Sequence, residues 1–367
     1  MSLPVPDLPA STRGPGWPTS QRPLHEQHDV LLLDLDGVVY VGDAVVPRAA
    51  PALAAAVAAG ARLAFVTNNA SRTPDAVAEH LTRIGVAADA GDVVTSAQAA
   101  ATVLADRLAV GSRVLVVGGE GLRAALTAVG LTPVTSADDD PAAVVQGFSP
   151  DVGWAQLVEG CIAVRAGVPW VASNLDLSIP TPRGPAPGNG ALVQVVQQAT
   201  GATPTVTGKP WRPIMDEAVR RTGARRPLVV GDRLDTDIAG AAAAELPSLL
   251  VLTGVSAAHD LLAAPAGLRP TLVAADLDGL AAPHPGCEAD HDGWWRCGGA
   301  AARVVDDQVE LDPASPATGG ADEALEALRA VCSAVWAAGE DEGAPERLVD
   351  RAARALSAWT APHGWDR

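Results

Sequence analysis

One stretch, DVLLLDLDGVVY from Asp29 to Tyr40, constrains what the rest of the chain can be. Its apolar run Val30 to Leu33 has strand length and ends in Asp34, Leu35, Asp36 and Gly37, the pattern of a buried parallel strand carrying two carboxylates to its exposed end. Residues i and i+2 of a strand share a face, so Asp34 and Asp36 point one way while Leu35 turns back into the protein. Such self-repulsion is tolerated where a hard cation such as Mg²⁺ neutralises it, or where one acid is kept protonated as a general acid. An acidic turn after a strand is the plainer alternative. A calcium loop of the EF-hand kind does not fit, because Val38 occupies the third acidic position and no helix precedes the loop.

The pattern around this stretch alternates strand and helix. After the first strand come an Ala-rich helix from about Pro47 to Ala59, Gly60 as its stop, and a strand from Leu63 to Val66. This βαβ unit implies a parallel sheet with right-handed crossovers. Thr67, Asn68, Asn69, Ala70, Ser71 and Arg72 follow, then a helix to about Ile84 and a strand at Val93 to Thr95. A second α/β region has strands at Val114 to Val117, Ala143 to Gln146 and Trp170 to Ala172. The first pattern resumes with Lys209, a helix from Pro213 to Thr222, the strand Leu228 to Gly231, Asp232, and the strand Leu249 to Leu252. The expected fold is therefore α/β: a Rossmann-like parallel-sheet core (29–97 and 201–283) with an inserted α/β cap domain (98–200). Open parallel sheets bind ligands over their carboxyl ends, which is where the cleft is expected. Residues 1–28, with six prolines, read as a flexible tail. Residues 284–367 read as a small C-terminal α+β module for docking, dimerisation or regulation, with a hairpin around Asp306 and Asp307 and helices at about Ala321 to Ala338 and Pro345 to Trp359.

Composition narrows the function. With 367 residues the chain has room for two or three domains and a large core. No apolar run approaches the roughly 20 residues of a membrane span, and no signal peptide is apparent, so a cytoplasmic enzyme without a membrane partner is expected. A net charge of -17 argues against nucleic acid as a partner, since phosphate backbones demand clustered Lys and Arg. Cys161, Cys287, Cys297 and Cys332 are scattered too widely for a disulfide framework. The only lysine among 26 basic residues is Lys209, in TGKP, which suggests a position that wants a compact ammonium rather than a planar fork. The four asparagines fall at Asn68 with Asn69, at Asn174 and at Asn189, all in loop-like settings.

Four features thus stand in order at strand ends or helix starts: Asp34 with Asp36, Thr67 with Asn68, Lys209, and Asp232 with Asp237. Phosphoryl transfer needs a nucleophile, an acid and base, a cation between two anions, and donors for the equatorial oxygens. Together DLDGVVY, VTNNASRT, TGKP and GDRLDTDI resemble the haloacid dehalogenase-type phosphatases, most closely the NagD-like branch with an α/β cap. The resemblance covers about residues 29–283. It implies that Asp34 is a nucleophile forming an aspartyl-phosphate and that Asp36 protonates the leaving alcohol, then deprotonates water. It further implies Mg²⁺ held by Asp34, the Asp36 carbonyl and Asp232, with Asp237 ordering its waters. Thr67 and Asn68 would grip the phosphoryl oxygens, and Lys209 would hold the phosphate and Asp34 together. The second acid separates a phosphatase from a dehalogenase, whose halide leaves without a proton.

The stretch SNLDLSIPTPRGPAPGNG, residues 173–190, resembles the family's cap loop, and Asn174, Asp176 and Asn189, along with Asn69, are expected at the substrate. Relatives that take pyridoxal phosphate carry a His soon after the Asp, whereas here Leu177, Ser178 and Ile179 follow, which favours a small aliphatic phosphate. Family resemblance puts glycerol 3-phosphate first, then 2-phosphoglycolate, pyridoxal phosphate and nucleoside monophosphates. The rival is a regulatory scaffold on a degenerate core, and homodimerisation stays open. Other stretches are decoys that imitate functional motifs. Gly119 to Ala124 mimics a dinucleotide fingerprint but lies in the inserted region, and a second DLDG at Asp276 to Gly279 lacks companion motifs. His284, Cys287, His291 and Cys297 have no zinc-ligand spacing.

Overall fold

The computed structural model describes residues 14–181, 183–313, 316, 319–339 and 343–366. The chain divides into two compact units. Among the described residues, one runs from Ala64 to Gly223, and the other holds the segments up to Leu63 and from Ala224 onward.

The unit that holds the Asp34 stretch is built on four parallel strands, in the order Leu272–Ala274, Ser248–Val251, Pro227–Gly231 and Val30–Leu33. All four are buried along their length, which is why their sequences are unbroken apolar runs rather than alternating ones. Parallel pairing with Leu31 opposite Leu228 and Leu33 opposite Val230 aligns the carboxyl ends. Asp34 follows one strand and Asp232 the next. The helix Ala49–Ala58 buries Ala49, Ala52, Leu53 and Ala56, spaced so that small side chains line one stripe.

The C-terminal region was expected to stand apart, and the structure differs. Four antiparallel strands, Cys287–Ala289, Trp295–Cys297, Ala300–Val305 and Gln308–Asp312, pack with the helices Ala321–Gly339 and Glu346–Thr360. Leu328, Val331, Trp336 and Trp359 of these helices share one continuous core with Leu234, Ile238, Leu250 and Leu261 of the α/β part. Polar bonds tie the same seam: Trp336 Nε1 donates to the Leu261 carbonyl at 3.1 Å, and the buried Arg329 guanidinium donates to the Val273 carbonyl at 2.7 Å. The apolar stripes of both helices were visible in the chain, but their partner surface was not. Asp306 and Asp307 both take left-handed conformations, φ 48° and 57°, the backbone a tight hairpin turn requires. The expected tail through residue 28 also needs correction, although residues 1–13 lie outside the described ones. Trp17 is buried against Trp336 with ring centroids 5.1 Å apart, and Trp17 and Ser20 form β-bridges to Cys287 and His284. A buried indole fixes a segment that proline content alone marks as loose.

In the other unit, the strand Arg62–Thr67 pairs in parallel with Val93–Thr95. A separate five-stranded parallel sheet runs Thr205–Val206, Trp170–Ala172, Ala143–Gln146, Arg113–Val117, Thr132–Val134. The last strand escaped the sequence reading because Pro133 interrupts it. Proline removes a donor and is accepted at a sheet edge, where this strand lies. The helices Ser96–Ala105, Glu120–Ala128, Trp154–Arg165, Asn189–Thr200 and Arg212–Thr222 belong to the same unit, as does Lys209. Among the described residues no helix is long and apolar enough to cross a membrane.

Candidate active site

Asp34 continues its strand by one more ladder bond, its N–H donating to the Val230 carbonyl at 2.9 Å. The chain then reverses: the Leu35 carbonyl accepts from Val39 at 2.9 Å and from Tyr40 at 3.1 Å, and Gly37 donates to the Tyr40 carbonyl at 2.8 Å. Gly37 sits at φ +82°, and a Cβ there would run into the Asp232 carboxylate, so only glycine allows this turn so close to the second acid. Thr253 Oγ1 donates to the Gly37 carbonyl at 2.6 Å and pins the turn from the loop after the strand Ser248–Val251, two strands away.

Asp232 follows the strand Pro227–Gly231, and its carboxylate accepts the Val255 N–H at 2.7 Å. Asp237 lies on a single π-helical turn, Leu234–Ile238, and accepts the Arg233 N–H at 3.1 Å. Widened turns of this kind are rare and frequently mark functional sites, where one extra residue per turn re-aims a side chain. Here the turn buries Asp237 fully and leaves Asp235 outside, paired with Arg233 at 2.7 Å. Among the described residues, Asp34, Asp232 and Asp237 form a group whose ligand oxygens lie within 4.8 Å of one another. Asp36 is exposed and is not a member of it.

Three gathered carboxylates, two of them completely buried, carry a charge that burial makes expensive unless a cation answers it. All the donors are carboxylate oxygens, with no thiolate or imidazole among them, which selects a hard cation of the Mg²⁺ kind over zinc or copper. The residues present therefore fit Mg²⁺. The zinc decoy does not assemble: Cys287 and Cys297 face each other across paired strands, while His291 lies in the exposed turn beside Asp292.

The other unit gathers the remaining predicted residues around Asn68. Lys209 N–H donates to Asn68 Oδ1 at 2.7 Å, and Asn68 Nδ2 donates to the Lys209 carbonyl at 3.0 Å and to the Asp176 carboxylate at 3.2 Å. The Lys209 ammonium donates to the Val66 carbonyl at 3.0 Å, with only 4% of the residue exposed. Thr67 is buried, and its Oγ1 accepts the Asn69 N–H at 3.1 Å. Asn69 shapes its loop, its Oδ1 accepting from the Ser71 N–H at 2.9 Å and the Ser71 hydroxyl at 2.8 Å.

Asn174 and Asn189 are buried links in this scaffold. Asn174 Nδ2 donates to the Asn68 carbonyl and Asn189 Nδ2 to the Asn174 carbonyl, each at 2.7 Å. Ser96 was missed by sequence reading: its hydroxyl also donates to the Asn68 carbonyl, at 2.7 Å. A serine opening a helix signals only a cap, and nothing in its spacing points to residue 68. The glycine-rich decoy is explained here too. A Cβ on Gly121 would strike the carbonyls of Ala70 and Arg72, so that glycine admits the loop after Asn69 rather than a dinucleotide.

A parallel α/β sheet with a carboxylate cluster at its strand ends defines a metal-assisted hydrolase or transferase. Residues 31–132 match the haloacid dehalogenase-like hydrolases, and residues 206–280 match a second group of the same kind. The chain is 46% identical to a D-glycerol 3-phosphate phosphatase of Mycobacterium tuberculosis, over 91% of this chain and 95% of that one. It is 37% identical to a 5'-nucleotidase of Bacillus subtilis, over 61% of this chain and 87% of that one. The crystal structure of a glycerol phosphate phosphatase from Mycobacterium tuberculosis with magnesium superposes with a TM-score of 0.80 at 44% identity, covering 93% of this chain and 99% of that one. The chain belongs to the haloacid dehalogenase-like hydrolases. Its relatives within that family include phosphatases, one of them crystallised with magnesium, and the three gathered carboxylates of this chain fit the same ion.

Proposed function

We propose that the chain hydrolyses glycerol 3-phosphate to glycerol and inorganic phosphate through an aspartyl-phosphate on Asp34. The observation that carries this reading is the clustering of Asp34 with the buried Asp232 and Asp237. The substrate follows from the Mycobacterium tuberculosis relative, whose likeness runs through the C-terminal region as well as the α/β parts, whereas the nucleotidase covers only 61% of the chain. The exposed Leu177 and Ser178 of the cap loop suit a short aliphatic ester better than a charged ring.

In the first step an Asp34 carboxylate oxygen attacks phosphorus, and the departing glycerol oxygen takes a proton from Asp36. In the second step water attacks the same phosphorus, Asp36 takes the water's proton, and the Asp34–phosphorus bond breaks. The exposure of Asp36 matches a group that trades protons with substrate and solvent. Thr67 and the Asn68 backbone bind phosphoryl oxygens, and Lys209 supplies a positive charge to them. Asp34, the Asp36 carbonyl and Asp232 would hold Mg²⁺, with Asp237 ordering its waters. When bound, that ion screens the repulsion between carboxylate and phosphate. The net charge of -17 supports a free metabolite over a nucleic acid as substrate. A cytoplasmic setting belongs to the same proposal, with homodimerisation left to measurement.

The test is release of phosphate from a panel of esters with and without Mg²⁺. Glycerol 3-phosphate should give the highest kcat/KM, and Asp34→Asn should abolish turnover while circular dichroism stays unchanged. A faster 5'-nucleotide would overturn the substrate, and an active Asp34→Asn the nucleophile.

A further inference from the structure

The mechanism uses the backbone of Asn68 and leaves its side chain without a task, yet that side chain bonds to both Lys209 and Asp176. The carboxamide spans one residue: Oδ1 accepts the Lys209 N–H at 2.7 Å, and Nδ2 donates to the Lys209 carbonyl at 3.0 Å. Two-point pairing of this sort copies what one strand residue offers another in a ladder, and it fixes both peptide planes flanking Lys209. The ammonium at the far end of the same residue donates to the Val66 carbonyl at 3.0 Å, two residues before Asn68. Both ends of Lys209 are therefore anchored to the end of the strand Arg62–Thr67 and the residue just after it.

The sense of the amide is set as well. Nδ2 also donates to both Asp176 carboxylate oxygens, at 3.3 and 3.2 Å. An ionised carboxylate and a carbonyl only accept, and an N–H only donates, so rotating the amide by half a turn would oppose like groups at every contact. The Asn68 carbonyl is itself held by Ser96 Oγ and Asn174 Nδ2, each at 2.7 Å, which leaves the side chain little freedom to drift. Gly208 completes the fit, since a Cβ there would meet Asn68 Oδ1 at 2.5 Å.

We propose that the Asn68 carboxamide is a positioning residue for Lys209, and that Asp176, on the cap loop, keeps that amide the right way round. This rests on the reading that Lys209 serves the phosphoryl group. A displaced ammonium costs transition-state charge stabilisation more than ground-state binding, so the loss should fall on kcat.

The test is steady-state hydrolysis of p-nitrophenyl phosphate with saturating Mg²⁺. Asn68→Asp removes both donors and sets a carboxylate against Asp176, and kcat should fall about 30-fold with KM changed less than about threefold. Adding Asp176→Asn returns a donor and removes the like charge, so the double variant should recover about tenfold in kcat. Such rescue is not the signature of mere destabilisation. Should Asn68→Asp fail to fold, Asn68→Ser, too short to span both groups, should show the same kcat loss. Whichever single Asn68 variant folds, a kcat within about twofold of wild type overturns the inference, as does a double variant no better than a folded Asn68→Asp. Lys209→Met separates the two readings. If it stays active, the role of Lys209 is wrong, and if it is dead while the folded Asn68 variant is unimpaired, only the positioning is wrong.

Discussion

At the scale of single residues, charge explains most of what the chain does. Asp232 accepts one backbone N–H and shares a cluster with Asp34 and Asp237. Asp232→Asn keeps the shape and removes one negative charge, so the Mg²⁺ concentration for half-maximal activity should rise at least about tenfold. A metal titration of activity checks this, and an unchanged midpoint would remove Asp232 from the site. Asp29, which opens the stretch that carries Asp34, has a different task. Burial pushes its pKa up, but the N–H groups of Arg225 and Arg226, at 2.9 and 2.8 Å, outweigh that and hold it below the ordinary carboxylate value. Because the folded value is depressed, the stabilisation is present above the unfolded carboxylate range near about 3.9 and is lost as pH falls through the folded value. Asp29→Ala should cost about 1 kcal/mol at neutral pH after solvent screening, with the gap to wild type closing in acid, as urea titrations at two pH values would show.

At the scale of elements, the helix Ala321–Gly339 is the most consequential piece that carries no chemistry. Trp336 lies in the core it shares with Leu250 and Leu261, meets Trp17 with the rings tilted by 36°, and has the Arg269 guanidinium 5.1 Å from its ring centroid. Trp336→Ala should destabilise the chain by about 3–5 kcal/mol, the usual range for emptying an aromatic site in a packed interior. Chemical denaturation followed by two probes, tryptophan emission and far-ultraviolet dichroism, should show one transition at a lower midpoint. Two separated transitions would mean that the C-terminal helices fold on their own.

For the unit that carries Asp34, the C-terminal segment is part of the fold rather than an appendage. A chain ending at Pro283 would expose the apolar faces of Leu234, Ile238, Leu250 and Leu261, a surface that soluble proteins rarely leave open. That truncation should be recovered mainly as aggregate and without phosphatase activity. A soluble, cooperatively unfolding fragment with full turnover would refute the shared core.

Much of this was readable along the chain. Val30–Leu33 announces a doubly buried strand because an uninterrupted apolar run has few other uses at that length, whereas the strand period that would aim Asp34 and Asp36 together ends at Leu33, and the turn after it leaves Asp36 exposed and outside the carboxylate group. The single lysine and the four asparagines marked the residues that meet around Asn68. What sequence could not decide is which partners those groups choose. Asn174 and Asn189 look like ligands for a substrate, but burial turns their amides toward backbone carbonyls, because an enclosed donor must find the nearest acceptor. Likewise the helices Ala321–Gly339 and Glu346–Thr360 show which face is apolar but not what covers it. Local pattern depends on neighbours a few residues away and survives in one dimension, whereas packing joins segments more than a hundred residues apart, and only the folded chain selects among them.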